Sequence, residues 1–122
     1  MRAMVDAKAF SEALNHVSKV IRKSSIPVLE GVLIRFENGR CTLTGTDFTT
    51  WLTVSLPSQG DDFSFVLHKP SAAVKACQYF NDELAIETHE TRSESPKAVF
   101  SCGRRSGEFD ILPAKDYPER PE

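Results

Sequence analysis

Apolar residues follow a helical period in two parts of the chain. In residues 7–22 they recur every three or four positions and fall within about 60° of one another at 100° per residue. Asp6, just before this segment, can cap the helix with its carboxylate. The pattern predicts a first helix that buries one stripe, formed by Phe10, Leu14, Val17 and Ile21 with Ala13 and Val20 beside them.

The second helical segment covers residues 70–80. Pro70 suits the first turn of a helix, because its missing N–H would have no partner there in any case. The predicted buried side carries Ala73, Val74, Cys77 and Phe80. Its far side is polar and only weakly cationic, with Ser71, Lys75, Gln78 and Tyr79.

Between and around the helices, short segments alternate apolar and polar residues or are rich in β-branched residues, as strands are. The pair Asn38-Gly39 favours a tight hairpin turn, since both residues tolerate positive φ. The turn residues at 57–62 end the strand before them. The predicted strands are 2–5, 28–36, 40–46, 48–56, 63–67, 84–88, 98–102 and 108–112.

These elements predict one α+β domain over residues 1–122. About eight short, mainly antiparallel strands would carry two helices packed on one side. Residues 116–122 show no periodicity and are interpreted as a boundary segment. With 122 residues, 40% of them apolar and 26% charged, the chain is long enough for a hydrophobic core and typical of a soluble protein.

The composition also limits localisation and cofactors. No apolar run approaches the roughly 20 residues of a membrane span, and the N-terminus does not look like a secretion signal, so we expect a cytoplasmic protein. Three cysteines, Cys41, Cys77 and Cys102, lie far apart in apolar segments, which favours buried, reduced thiols. No metal-ligand spacing joins them to the histidines, so neither a metal nor another cofactor is expected.

The chemistry-bearing residues indicate binding rather than catalysis. No nucleophile motif, phosphate-binding glycine loop or metalloprotease motif occurs, so no catalytic residue is predicted and the chain is not expected to be an enzyme. The exposed face of the first helix carries Lys8, Lys19 and Arg22, with Lys23 following and Glu12 among them. From these residues alone, the face is either a nucleic-acid contact or an ordinary solvated surface.

Three motifs resemble those of a known family. They are Pro-Val-Leu at 27–29, Leu-Thr-Gly-Thr-Asp at 43–47 and Leu-Pro-Ala-Lys-Asp-Tyr-Pro at 112–118. Their order is similar to that in the first domain of the bacterial sliding clamp, the beta subunit of DNA polymerase III. The resemblance implies a DNA-clamp fold and a processivity factor, in which three domains per subunit and two subunits close a ring around duplex DNA with the helices lining the hole.

Within the motif at 43–47 the residues themselves favour structural roles. Gly45 inside a strand is typical of a bulge or a close backbone approach, and Asp47 at the strand's end is typical of a turn cap. Trp51 is expected to be half-buried on its sheet.

The resemblance also assigns sites and partners. It implies that Lys8, Lys19, Arg22 and Lys23 face the backbone of double-stranded DNA. It implies further clamp domains or subunits as partners, and DNA polymerase III and the clamp loader for the full-length protein. For Arg92, Arg104 and Arg105 it implies a subunit interface, whereas the residues alone equally fit a solvent-exposed turn.

A second function keeps the fold and changes the role. One domain cannot encircle DNA by itself unless six copies close head to tail. The alternative is therefore a stand-alone clamp-like module that binds a partner protein without encircling DNA.

Overall fold

The computed structural model describes residues 1–21, 30–47, 50–88 and 97–117. The elements in this part of the chain follow the predicted order, which confirms the α+β class. They are β1 (Arg2–Asp6), α1 (Ala7–Ser18), β2 (Gly31–Glu37), β3 (Arg40–Thr46), β4 (Trp51–Gly60), β5 (Phe63–His68), α2 (Ser71–Cys77), β6 (Glu83–Thr88), β7 (Lys97–Cys102), β8 (Arg105–Leu112) and a 3₁₀ helix (Ala114–Asp116).

The strands close into one barrel in the order β1-β4-β3-β2-β5-β8-β7-β6, and every pairing is antiparallel. The pairings repeat. Strand β1 pairs with β4, the last strand of the first half, and with β6, the second strand of the second half. Strand β5 pairs in the same way with β8, the last strand of the second half, and with β2, the second strand of the first half. The domain is therefore built from two strand-helix-strand-strand-strand units with the same pairing pattern.

Helix α1 begins where the sequence predicts. The Asp6 carboxylate Oδ2 accepts a hydrogen bond from the Ala9 backbone N–H at 2.9 Å, which caps the helix. Phe10, Leu14 and Val17 of the predicted stripe are fully buried, whereas Val20 and Ile21, which follow the end of α1, are half-buried. The α-helix ends at Ser18 rather than at residue 22, because the next three N–H groups bond to carbonyls three residues back and tighten the last turn.

The core lies between α1, α2 and the inner faces of the strands. Its largest fully buried side chains include Phe10, Phe36 and Phe100. Phe10 meets Phe100 edge to face, with ring centroids 5.7 Å apart and planes at 80°. This contact joins α1 to β7, so burial of the helix and closure of the second half of the barrel depend on each other.

Strand β4 is longer than predicted. Where a turn was expected, the strand continues and its pairing changes from β3 to β1. Trp51 to Pro57 pairs with β3, and Ser58 to Gly60 continues onto β1. The Ser58 N–H donates to the Gly39 carbonyl at 2.9 Å, on the β3 side. Backbone groups alternate along a strand, so the nitrogen of Pro57 faces away from β3 and no bond of that ladder is lost.

The boundaries of β8 and α2 also differ from the prediction. Strand β8 begins at Arg105 rather than at residue 108, because Gly103 and Arg104 alone form the turn; Gly103 has φ +60°, as the first central residue of a tight hairpin turn needs. Helix α2 ends at Cys77, and the N–H groups of Tyr79 and Phe80 bond to carbonyls three residues back.

Local predictions around the motif at 43–47 are confirmed. Asn38 and Gly39 both have positive φ, at 52° and 77°, and turn β2 into β3. A Cβ on Gly45 would lie 2.8 Å from Val17 Cγ1, so the glycine allows β3 to approach α1 closely. The Asp47 carboxylate accepts from the Thr50 N–H at 2.7 Å, and Trp51 is half-buried.

The motif near the C-terminus fastens the chain to the outer face of the barrel. Tyr117 is 7% exposed and packs with the buried Val66, and its hydroxyl donates to the Thr44 carbonyl at 3.2 Å. Its ring meets Trp51 edge to face at 6.5 Å. Part of the predicted boundary segment is thus packed on the domain, and residues 118–122 lie outside the described chain.

We predict that stability falls steeply at alkaline pH. Burial raises the pKa of Cys41, Cys77 and Tyr117 to about 12, from ordinary values of 9.0 for the thiols and 10.0 for the phenol. Well below pH 9 all three groups are protonated in both states. As the pH rises through 9.0 for the thiols and 10.0 for the phenol, the unfolded chain releases protons that the folded chain retains. The free energy of unfolding should then fall by about 1.4 kcal/mol per pH unit for each group.

Urea unfolding under reducing conditions at pH 8, 9.5 and 10.5 measures this dependence. The double variant Cys41→Ala, Cys77→Ala is the control, because it should lose most of the decline that begins near pH 9. An equally steep decline in the variant would contradict the assignment to the buried thiols.

Candidate nucleic-acid interface

The two helices contact each other and present their outer sides on one surface, here called the helical face. Two grooves cross it between α1 and α2, and each is lined by residues from both sides. The exposed residues of the helical face are Lys8, Glu12, Asn15, His16 and Lys19 around α1, and Lys69, Ser71, Ala72, Lys75, Gln78 and Tyr79 around α2.

One groove lies where α1 ends and α2 begins and encloses about 620 Å³. Lys69 and Lys75 are its two cations, both exposed, and Glu30 is its single carboxylate. Ser71 and Gln78 add hydrogen-bonding side chains. We call it the cationic groove; its lining also includes the apolar Ile21, Pro70 and Val74, and the lysines at its border are suited to attract an anion such as a phosphate.

The other groove lies where α1 begins and α2 ends and encloses about 600 Å³. Its charged residues are Asp6, Glu12 and Asp82 against the single cation Lys8. We call it the acidic groove. Because like charges repel, a polyanion would be attracted to the cationic groove and would find little attraction around Lys8.

The structure places the predicted DNA-facing residues unevenly. Lys8 and Lys19 are exposed on the helical face, with Lys8 in the acidic groove and Lys19 directly after α1. Arg22 and Lys23 lie outside the described residues. Sequence reasoning did not name Lys69, although a lysine directly before the proline that opens a helix indicates a position at the helix start.

The second predicted cluster lies on the hairpin between β7 and β8. Arg105 Nη1 donates to the Tyr79 carbonyl at 2.6 Å, so this guanidinium ties the hairpin to the end of α2, where a cation is favourable. Arg104 is exposed in the two-residue turn, and within the described residues its side chain makes no hydrogen bond or ion pair. Arg92 lies outside the described residues.

Strand β8 has an open edge. Strand β8 pairs with β7 from Arg105 to Asp110, whereas its pairing with β5 consists of Ile111 and Leu112, at the end of β8. In the described chain no further strand pairs with that second side of residues 105–110. Arg105 flanks a two-residue turn, so its backbone N–H and carbonyl bond to β7. Backbone groups alternate along a strand, so those of Ser106, Glu108 and Asp110 point to the open side.

Strand β4 has the equivalent open edge in the first half of the domain. Its ladder with β1 begins only at Ser58, where β1 is about to end. Before that point the even-numbered residues of β4 bond to β3, as the Ser58 N–H does. Thr53 and Ser55 therefore direct their backbone donors and acceptors outward, and Pro57, without an N–H, ends this edge.

Other kinds of site receive no support from the described residues. No group of three histidine, cysteine or acidic residues there could hold a metal ion, and no helix there is long and apolar enough to cross a membrane. Cys41 and Cys77 are buried, as predicted, whereas Cys102 is half-buried and donates from Sγ to the Asn81 carbonyl at 2.7 Å.

Comparison with known proteins gives a consistent result. The family model described as DNA polymerase III beta subunit, N-terminal domain, matches residues 1–121. The beta sliding clamp of Haemophilus influenzae is 26% identical over 121 residues, and that of Caulobacter vibrioides is 24% identical over 130 residues. Each match covers 97% of this chain and 32% of the relative, so the chain spans about a third of their length.

Solved structures show the same fold. A DNA polymerase sliding clamp from Bacillus subtilis matches all of this chain and 34% of its own with a TM-score of 0.89 at 18% identity. A sliding clamp from Pseudomonas aeruginosa bound to griselimycin matches all of this chain and 33% of its own with a TM-score of 0.83 at 24% identity.

Proposed function

Since this chain belongs to the family of the DNA polymerase III beta subunit, N-terminal domain, we propose that it is the first domain of a sliding clamp. In this role it forms part of a ring that encircles duplex DNA and acts as a processivity factor in replication. The observation that carries the proposal is the helical face, which brings two helices and a cationic groove onto one side of a closed barrel.

The helical face is suited to contact that permits sliding. The cations that it presents are the lysines Lys8, Lys19, Lys69 and Lys75, whose solvated ammonium groups attract phosphates without reading base edges. With a net charge of −2, the chain needs such a local cationic surface to bind DNA at all. Arg22 and Lys23, which follow α1 in the sequence, belong to the same proposed contact.

The open edges are suited to ring assembly. A domain inside a ring needs one joining surface on each side, and β4 and β8 supply one edge in each half of the domain. We propose that further clamp-type domains or subunits add to these edges, with Arg104 beside the β8 joint. For the full-length protein we propose DNA polymerase III and the clamp loader as partners, and the bacterial cytoplasm as its location.

Equilibrium binding to two duplexes of equal length and unrelated sequence tests the DNA proposal. Fluorescence anisotropy should give equal affinities, and the logarithm of the binding constant should fall linearly with the logarithm of salt concentration, by about 0.9 per phosphate contact. Discrimination between the sequences, or binding that does not weaken with salt, would contradict a contact made for sliding.

A further inference from the structure

The cationic groove has an apolar side that a phosphate backbone would not use. Ile21, Pro70 and Val74 form this side, and Ile21 and Val74 are half-buried, so part of each reaches the groove surface. The groove encloses about 620 Å³, within the range of sites that hold small molecules. Phosphates and sugars are polar and bind through charge and hydrogen bonds. The groove therefore suits a ligand that carries apolar surface as well as charge.

The backbone fixes the position of one of the two lysines. Lys69 has φ +49°, in the left-handed region that lysine rarely adopts. The other described non-glycine residues with positive φ are Asn38 and Asp82, whose short side chains tolerate that region. The Lys69 N–H donates to the Glu30 carbonyl at 3.3 Å, which holds the chain in this unfavourable conformation. Backbone conformations of this kind occur preferentially at binding sites.

The polar side chains of the groove are available to a ligand. Lys69 lies just before α2 and Lys75 lies in its last turn, so the two lysines reach the groove from opposite ends of the helix. Within the part of the chain that the structure describes, no hydrogen bond or ion pair is made by the side chains of Lys69, Ser71, Lys75 and Gln78. Among the described lining residues the two lysines face one carboxylate, that of Glu30. An anionic group placed there meets net positive charge and free hydrogen-bond donors.

We propose that the cationic groove binds a small amphipathic anion, an aromatic ring that carries a sulfonate, carboxylate or phosphate group. The ring packs on Ile21, Pro70 and Val74, and the acid group lies between Lys69 and Lys75. A rigid ring buries a large apolar area with few internal rotations to restrict, which favours it over a flexible chain of the same size. Because the proposed DNA contact uses the same lysines, the ligand and a duplex should exclude each other, and this exclusion rests on the proposed function.

Fluorescence titration with anilinonaphthalene sulfonate, an aromatic sulfonate that brightens in apolar surroundings, tests the proposal. At about 25 mM salt the probe should bind one site with a dissociation constant on the order of 10–100 μM, as its size allows. The double variant Lys69→Asn, Lys75→Gln should weaken binding roughly tenfold or more, and Val74→Ser about threefold. Asparagine keeps the left-handed backbone at position 69, so the double variant tests charge rather than folding.

Lys115→Gln is the matched control. It removes one positive charge at an exposed residue outside the groove, and this variant should bind the probe like the unaltered chain. A loss of binding as large as that of the double variant would mean that the probe senses only the summed charge, and this would contradict the site.

Two further probes separate the two parts of the ligand. Phenylnaphthylamine, which has the same types of ring without the acid group, should bind roughly tenfold more weakly. Inorganic phosphate, at the concentration of the sulfonate and at equal ionic strength, should not displace it, because phosphate gains nothing from the apolar side. Equal binding of the amine would overturn the proposal, since the apolar side alone would then suffice. Displacement by phosphate would overturn it as well.

Duplex binding in the presence of the sulfonate separates this inference from the proposed function. If the bound ligand neutralises one charge that contacts phosphate, duplex affinity at about 50 mM salt should fall roughly tenfold, and the salt slope should become shallower by about 0.9. Undiminished binding of both at once would contradict the proposal, because the acid group would then not lie between the lysines.

The two proposals fail in different ways. A chain that binds duplex with the expected salt dependence but does not bind the sulfonate overturns this inference and leaves the clamp role standing. A chain that binds the sulfonate as described but binds no duplex supports the groove ligand and contradicts the DNA contact.

Discussion

Replacing Phe10 with alanine should lower the free energy of unfolding by about 3–5 kcal/mol. The side chain is fully buried, it is the first large residue of the α1 stripe, and its ring meets Phe100 edge to face. Truncation leaves a cavity between the helix and β7 and removes the aromatic contact. Urea unfolding followed by circular dichroism measures the loss, and a lowered midpoint with an unchanged slope is expected.

Tyr79→Ala is the matched control for this substitution. It removes an aromatic side chain of similar size, but one that is 65% exposed, so the expected change lies within about 0.5 kcal/mol. A loss below about 1 kcal/mol for Phe10→Ala would contradict the packing of α1 described above. Equal losses in the two variants would do the same.

The parts of the fold that the sequence predicts are those set by neighbouring residues. The buried stripe of α1, the cap at Asp6 and the Asn38-Gly39 turn each depend on residues within a few positions of one another, and all three are confirmed. The full length of β4 depends instead on β1, a strand from the opposite end of its half. No local pattern shows that pairing, so Pro57 to Gly60 read as a turn.

On the helical face, too, some properties of the charged residues depend on neighbouring residues and others on distant parts of the chain. Periodicity places Lys8 and Lys19 on the exposed side of α1, and both are exposed. The surroundings of Lys8 include Asp82, which reaches the same groove through the packing of α2 against α1. Local pattern therefore predicts which residues face solvent, whereas tertiary packing decides whether a lysine stands among cations or carboxylates.

The arginine cluster shows a further limit of sequence reasoning. Arg104 and Arg105 are adjacent and would be treated alike from the sequence. In the structure Arg105 bonds to the carbonyl of Tyr79, 26 positions earlier, whereas Arg104 extends from the turn. Their roles can be separated only once the hairpin is packed against the end of α2.

Replacing both Lys69 and Lys75 with glutamine should weaken duplex binding roughly a hundredfold at 50 mM salt. If each lysine neutralises one phosphate, the slope of log binding constant against log salt becomes shallower by about 1.8, and the lost affinity follows from that slope. Both lysines border the cationic groove and are exposed, so the substitution removes charge without disturbing the core. Anisotropy titrations between about 25 and 200 mM salt, over which the Debye length falls from about 19 to about 7 Å, measure both quantities.

Lys8→Gln is the control that distinguishes a local site from overall charge. It removes one positive charge from the same helical face, but from the acidic groove, where Asp6, Glu12 and Asp82 already oppose a polyanion. We therefore expect its effect to be smaller than that of Lys69→Gln or Lys75→Gln alone. Equal losses from all three single substitutions would mean that DNA senses only the summed charge of the domain, and the cationic groove would then have no special part in the contact.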